Sequence, residues 1–183
     1  MRIIGGEFRG RSIKHPPFKT VRPTKDRIRE AVFNMIAEKV PGARAMDLFA
    51  GSGAYGMESL SRGATGSVFV DNDIHCVKII NENITELGLE ARTKTFTEDV
   101  FRTLELLGKN KERFDLIFSD PPFNRDMAKK TLLTINQYDI LNRCGLLIIE
   151  HHLREFVPEA ADHIFILRQK TYKDILISIY IKK

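Results

Sequence analysis

One decapeptide restricts this chain more than anything else in it: Asp47-Leu48-Phe49-Ala50-Gly51-Ser52-Gly53-Ala54-Tyr55-Gly56. The apolar run 45–49 predicts a strand leading into it, and the stretch around 55–62 predicts a helix leading out. A strand that turns through glycines directly into a helix opens a βα unit, and such units build parallel sheets covered by helices. The rest of the sequence continues that alternation. Strands are expected at 67–70, 92–97, 114–119 and 146–149, with helices at 74–87, 100–107 and 126–137 between them. On the 74–87 helix, Val77, Ile80, Ile84 and Leu87 recur at the spacing of one helical face.

The two ends differ. Residues 164–168 and 175–181 are β-rich runs joined by a polar turn, expected as an antiparallel hairpin. Residues 2–5 and 9–14 flank Gly5-Gly6-Glu7-Phe8 and predict a small β-hairpin, which Pro16-Pro17 ends. Thr24 then reads as the N-cap of a helix whose apolar face is Ile28, Ala31, Val32, Met35 and Ile36. The expected fold is α/β: a mostly parallel seven-stranded sheet with helices on both faces, a C-terminal antiparallel hairpin and a small N-terminal β-hairpin. The expected division is an N-terminal basic arm over 1–22 and one catalytic domain over 23–183.

Charge separates the same two parts. Residues 1–30 carry nine Lys and Arg against three acids, a net +6, whereas the remaining 153 residues carry 20 against 21. Excess positive charge concentrated on a near-neutral body suits contact with a polyanion. Arg2, Arg9, Arg11, Lys14 and Arg22 are the candidate RNA contacts. No apolar run reaches the roughly 18 residues of a membrane span, and a cytoplasmic monomer is expected. Cys76 and Cys144 lie far apart without a CxxC. They read as two buried thiols, and no metal site is expected.

Gly51, Gly53 and Gly56 satisfy GxGxxG, a pattern shared by dinucleotide sites, and Asp71 lies at the spacing of their ribose-binding acid. Asp47 leans the other way. A carboxylate beside the turn would repel a pyrophosphate but suit a ligand carrying an ammonium and a sulfonium. Asp71, directly after Val68-Phe69-Val70, can accept ribose hydroxyls, while Asp73 reads as the N-cap of the next helix. Asp99 could accept from an adenine amino group. Three successive strands thus end in acids, outside the carboxyl edge where open α/β sheets bind ligands. The cofactor site is assigned to Asp47, Phe49, Ala50, Gly51, Gly53, Asp71, Asn72, Asp99 and Val100, and the cofactor to S-adenosyl-L-methionine.

The catalytic assignment is Asp120, Pro121, Pro122 and Phe123, at the end of the 114–119 strand. Consecutive prolines hold the backbone extended and supply no N–H, so carbonyl oxygens stay available as acceptors. A carboxylate and a carbonyl can take the two protons of a base NH2 group while Phe123 stacks on the ring.

These residues resemble Rossmann-like methyltransferases, and more closely the RsmD family of ribosomal RNA small subunit methyltransferase D. The resemblance runs through Met1-Arg2-Ile3-Ile4-Gly5-Gly6, Arg9-Gly10-Arg11, Arg22-Pro23-Thr24, Asp26-Arg27-Ile28-Arg29-Glu30, Asp47–Gly53, Ser61-Arg62-Gly63-Ala64 and Asp120–Phe123. It implies that Thr24 lies near the cofactor and that Asp120–Phe123 hold a guanine. It also implies N2-methylguanine in 16S rRNA as the product. A single domain with one short arm touches few nucleotides, so the guanine is expected to be presented already unstacked within a small-subunit assembly particle. Asp71 stands where the family usually has Glu, and Tyr55, Met57 and Ser119 also depart from its pattern. Alternatives are an adenine-N6 nucleic-acid methyltransferase, an NAD-dependent oxidoreductase and a non-catalytic RNA-binding assembly factor. His151-His152 reads as a solvated pair at a strand end, and Phe8 as either a packing or an RNA-stacking residue.

Overall fold

The computed structural model describes residues 1–17, 23–123 and 126–183, with only the backbone of 23–25. Chain order is α1 (Pro23–Met35), β1 (Arg44–Leu48), α2 (Ala54–Ser61), β2 (Gly66–Asp71), α3 (Ile74–Leu87) and β3 (Thr93–Thr97). It continues with α4 (Val100–Lys109), β4 (Phe114–Ser119), α5 (Met127–Gln137), β5 (Leu141–His152), β6 (Ala160–Ala161), β7 (Ile164–Tyr172) and β8 (Ile175–Lys182). The strands form one sheet in the order β3-β2-β1-β4-β5-β8-β7-β6. β1 to β5 are parallel, and the last three strands are antiparallel additions. The two-residue β6 extends the expected C-terminal hairpin by an eighth strand.

Side chains alternate across the sheet with the period-2 pleat. Met46 and Leu48 of β1 join Val68, Val70, Ile117 and Ile149 beneath α4 and α5. Ala45 faces the other way, with Leu116, Phe118, Ile148 and Ile177, beneath α1. Strand order reverses between β1 and β4, which splays the connections apart and leaves a crevice at their carboxyl ends.

Three expectations change. β5 starts five residues earlier than the apolar run suggests. Its polar stretch Asn142-Arg143-Cys144 is absorbed by an irregularity opposite Phe114–Leu116, with Cys144 at φ 59°. Cys144 is therefore exposed, not buried, while Cys76 is buried as expected. β5 also runs through His151, which is buried within the sheet rather than solvated.

The N-terminal hairpin forms, with the bridge Arg2 to Ser12 and backbone bonds from Ile3 N to the Arg11 carbonyl, Gly10 N to the Ile3 carbonyl and Ile13 N to the Met1 carbonyl. Other backbone groups at its turn bond to α2. Ile4 N and Gly5 N donate to the two carboxylate oxygens of Glu58, each at 2.8 Å. Glu7 N donates to the Ser61 carbonyl at 2.7 Å and Phe8 N to Ser61 Oγ at 3.0 Å. A Cβ on Gly6 would lie 1.8 Å from that Ser61 carbonyl, so no other residue fits there. Ile3 and Ile13 are buried with Met57, Leu60, Ile80 and Ile84. The segment is a strap packed on α2 and α3, not a free arm.

Candidate active site

The glycine turn sits at the switch point. β1 pairs with β4 so that Leu48 lies opposite Ser119. The residues that follow each, Phe49 and Asp120, therefore open side by side. Phe49 takes φ 55°, a costly conformation for a bulky side chain and one that concentrates at ligand sites. Gly51 (φ 58°) and Gly53 (φ 75°) complete the turn in the left-handed region. Gly56 has another role: a Cβ there would lie 2.2 Å from the Phe69 ring, so it lets α2 press onto β2.

The three strand-end acids do different jobs. Asp71 is buried, accepts from Gly51 N at 2.8 Å through Oδ2 and from Asp73 N at 3.0 Å through Oδ1. It thus ties the end of β2 to the glycine turn. Asp47 is also buried and accepts from Gly56 N at 2.9 Å, in the first turn of α2. Asp99 caps α4, accepting from Phe101 N and Arg102 N with the same oxygen, Oδ1. Asp73 caps α3 through His75 N, as expected. Asn72 is exposed beside Asp71, Ala50 is buried and donates to the Val70 carbonyl (3.0 Å), and Val100 packs in the core with Leu104. Thr24 lies in α1, but its side chain is outside the described residues, as is Arg22.

After β4 the chain runs through Asp120-Pro121-Pro122-Phe123, with Pro121 buried, Pro122 exposed and Phe123 half-buried. The Phe123 ring stands edge-on to His152 at 6.2 Å. A residue that the sequence marked only as a departure, Tyr55, joins this side. Its ring stacks on Phe118 at 5.0 Å, and its hydroxyl donates to the buried Glu150 at the end of β5. Desolvation, then the Glu150 and Asp120 carboxylates, pushes the Tyr55 phenol well above its usual range, so it stays a donor. The α2 helix thus carries both the glycine turn and a phenol facing the DPPF side. His151 Nε2 pairs with Ser178 Oγ at 2.8 Å, and burial lowers its pKa, which keeps it neutral.

Among the predicted RNA contacts, Arg2 and Arg9 are exposed. Arg11 is exposed too, with its guanidinium on the Glu86 carbonyl at 3.0 Å. Lys14 is committed to Glu82 (3.2 Å) and Glu86 (2.5 Å), and hydrogen bonding to Glu86, then Glu82, raises its pKa. Beneath the strap lies a cluster that sequence reasoning missed. Buried Glu58 meets Arg62 Nε at 2.7 Å and buried Arg29 Nε at 3.8 Å, while Arg29 also donates to the Arg2 carbonyl at 2.6 Å. Arg29 and Arg62 lie in segments that carried the family resemblance, which was the available signal.

Two cavities of about 330 and 340 Å³ lie elsewhere, at the amino ends of the strands, lined by Leu141, Ile164 and Lys182 in one and Arg44, Gly66 and Thr93 in the other. They are at the wrong edge of the sheet for strand-end chemistry. Among the described residues, no three His, Cys, Asp or Glu converge as a metal site, and no helix is long and apolar enough to cross a membrane.

Comparison with known proteins agrees along the whole chain. Residues 1–181 match the family described as conserved hypothetical protein 95. YlbH of Bacillus subtilis, described provisionally as an rRNA methyltransferase, is 36% identical and each chain covers all of the other. Ribosomal RNA small subunit methyltransferase D of Escherichia coli is 30% identical over 98% of this chain and 89% of its own. The solved structure of Escherichia coli yhhF, provisionally a methyltransferase, superposes with a TM-score of 0.88 at 30% identity, covering 100% of this chain and 98% of that one.

Proposed function

Because this chain belongs to the conserved hypothetical protein 95 family, the family of ribosomal RNA small subunit methyltransferase D, we propose that it methylates the exocyclic N2 amine of a guanine in small-subunit rRNA. The observation that carries this is the adjacency of the glycine turn after β1 and Asp120–Phe123 after β4, opened side by side by the register Leu48 to Ser119. The residues fit S-adenosyl-L-methionine: a strained turn at Phe49, a buried acid at Asp71 and an acid at the start of α4, all at one sheet edge. Bound there, it supplies a methyl group on a positively charged sulfur. Asp71 would hold the ribose, Asp99 the adenine and Asp47 the charged end. Asp120 and a proline carbonyl accept the two protons of the guanine amine, favouring a pyramidal nitrogen with its lone pair available. Phe123 covers the ring face, and Asp120 is the acceptor for the proton that the nitrogen loses. Catalysis is then positioning plus electrostatics.

The enzyme works in the cytoplasm on RNA presented in a small-subunit particle, with Arg2 and Arg9 of the strap as the chief phosphate contacts. Incubation with labelled S-adenosylmethionine and such particles, followed by nucleoside analysis, yields N2-methylguanosine. N6-methyladenosine instead would overturn the base assignment.

Two expected results arise here. Asp71→Ala weakens S-adenosylmethionine binding by about 1.5–3 kcal/mol, the range for hydrogen bonds to a charged group. Asp71→Glu, which restores the family's usual acid, keeps it. Calorimetry on both variants checks this, and equal losses in the two would show that Asp71 serves only the turn. For RNA, replacing Arg2 and Arg9 with alanine makes log affinity less dependent on log salt, by up to about 0.7 per lost contact. Lys14→Ala changes the slope less, since two glutamates already neutralise its charge. A larger effect from Lys14 would reject the assignment.

A further inference from the structure

His152 ends β5 beside Phe123. The chain beyond it is pinned at several points. Glu155 N donates to the His152 carbonyl at 2.9 Å, Arg154 N to His152 Nδ1 at 3.1 Å, and Leu153 N to the Asp174 carbonyl at 2.8 Å in the turn between β7 and β8. On the far side Val157 is buried in the core, and the Tyr180 hydroxyl donates to the Pro158 carbonyl at 2.9 Å. Yet this fixed turn holds Phe156 73% exposed and Leu153 49% exposed. A ring presented outward on rigid backbone loses little freedom on meeting a partner.

The surroundings say what the partner is. Exposed cations lie on the same two segments: Arg154 two residues before Phe156, and Lys173 next to Asp174, whose carbonyl holds Leu153 N. Aromatic surface interleaved with cations matches a nucleotide of single-stranded RNA. The position matches too. A base drawn out of a strand to reach Asp120–Phe123 leaves its neighbour with an uncovered face.

We infer that Phe156 stacks on the base next to the methylated guanine, with Arg154 contacting its phosphate. This rests on the rRNA reading above. The test uses a short RNA carrying the methylated guanine, with 2-aminopurine placed on each side of it in turn. Wild-type protein quenches the fluorophore on one side. Phe156→Ala loses that quenching, binds the RNA about ten- to hundred-fold more weakly, and keeps wild-type affinity for S-adenosylmethionine. Phe156→Trp retains the quenching. Unchanged RNA affinity in Phe156→Ala overturns the inference. So does a defect seen only on protein-containing particles, which would make the ring a protein-docking site, or a self-association of the wild type that the variant abolishes. Failure of the wild type to methylate any rRNA removes the premise itself, and that result is read in the wild-type lane alone.

Discussion

Replacing Asp120 with alanine lowers the single-turnover rate of methyl transfer by roughly 10²–10⁴-fold, the range for a positioned acid–base or charge-stabilising group. Cofactor affinity stays at the wild-type value. Asp120 follows β4, whereas the acids assigned to the cofactor lie at or just beyond the ends of β1, β2 and β3, so the two functions separate by strand. Asp120→Asn keeps an oxygen acceptor but not the charge, and an intermediate rate is expected from it. Rapid-quench measurement at saturating cofactor, paired with calorimetry, checks both halves. A near-normal single-turnover rate in the alanine variant would falsify the assignment of the base amine to Asp120.

The second large effect concerns the strap. Glu58→Ala destabilises the protein by about 3–5 kcal/mol, because removing one partner of a buried ion pair leaves the other charge uncompensated. The stranded charge is Arg29, only 2% exposed. Asp26, 3.3 Å from its guanidinium, relieves part of the penalty, so the lower end of that range is expected. Ile4 N and Gly5 N lose their acceptor in the same step. Urea unfolding of Glu58→Ala and Glu58→Gln, the latter keeping an acceptor, measures the effect. A loss under about 1 kcal/mol in the alanine variant, small beside a buried pair's usual value, would mean that the cluster is solvated in solution. The same contacts make deletion of residues 1–15 a poor probe of RNA binding, since it would also expose the α2–α3 core around Ile3 and Ile13.

The βα framework was legible because each element carries its own local signal. Helix α3 and strand β4 fall where the spacing put them, with Asp73 as the cap of α3. So was the strand-end location of Asp71, Asp99 and Asp120. What escaped depends on distant partners. Glu58, Arg29 and Arg62 lie on helices where charge ordinarily means solvent, and only the docking of residues 4–8 buries them. His151 looked solvated because the apolar run ends at Ile149, and only pairing with β8 carries β5 on through it. Tyr55 was noticed as a departure within the glycine turn, but its bond to Glu150 spans 95 residues. For Asp47, assigned to the cofactor's charged end, the bond from Gly56 N adds a second role in holding α2.

The sheet order also bears on how the chain comes off the ribosome. β5 sits between β4 and β8, and seven residue pairs join it to β8, the last strand to be made. Ile177, Ile179 and Tyr180 of β8 are each at most 2% exposed. Until those residues emerge, the apolar Leu146–Ile149 segment keeps an open edge able to pair with another strand. A nascent chain stalled before β8 therefore holds a nearly finished glycine turn beside an adhesive flank, the kind of species that chaperones shield.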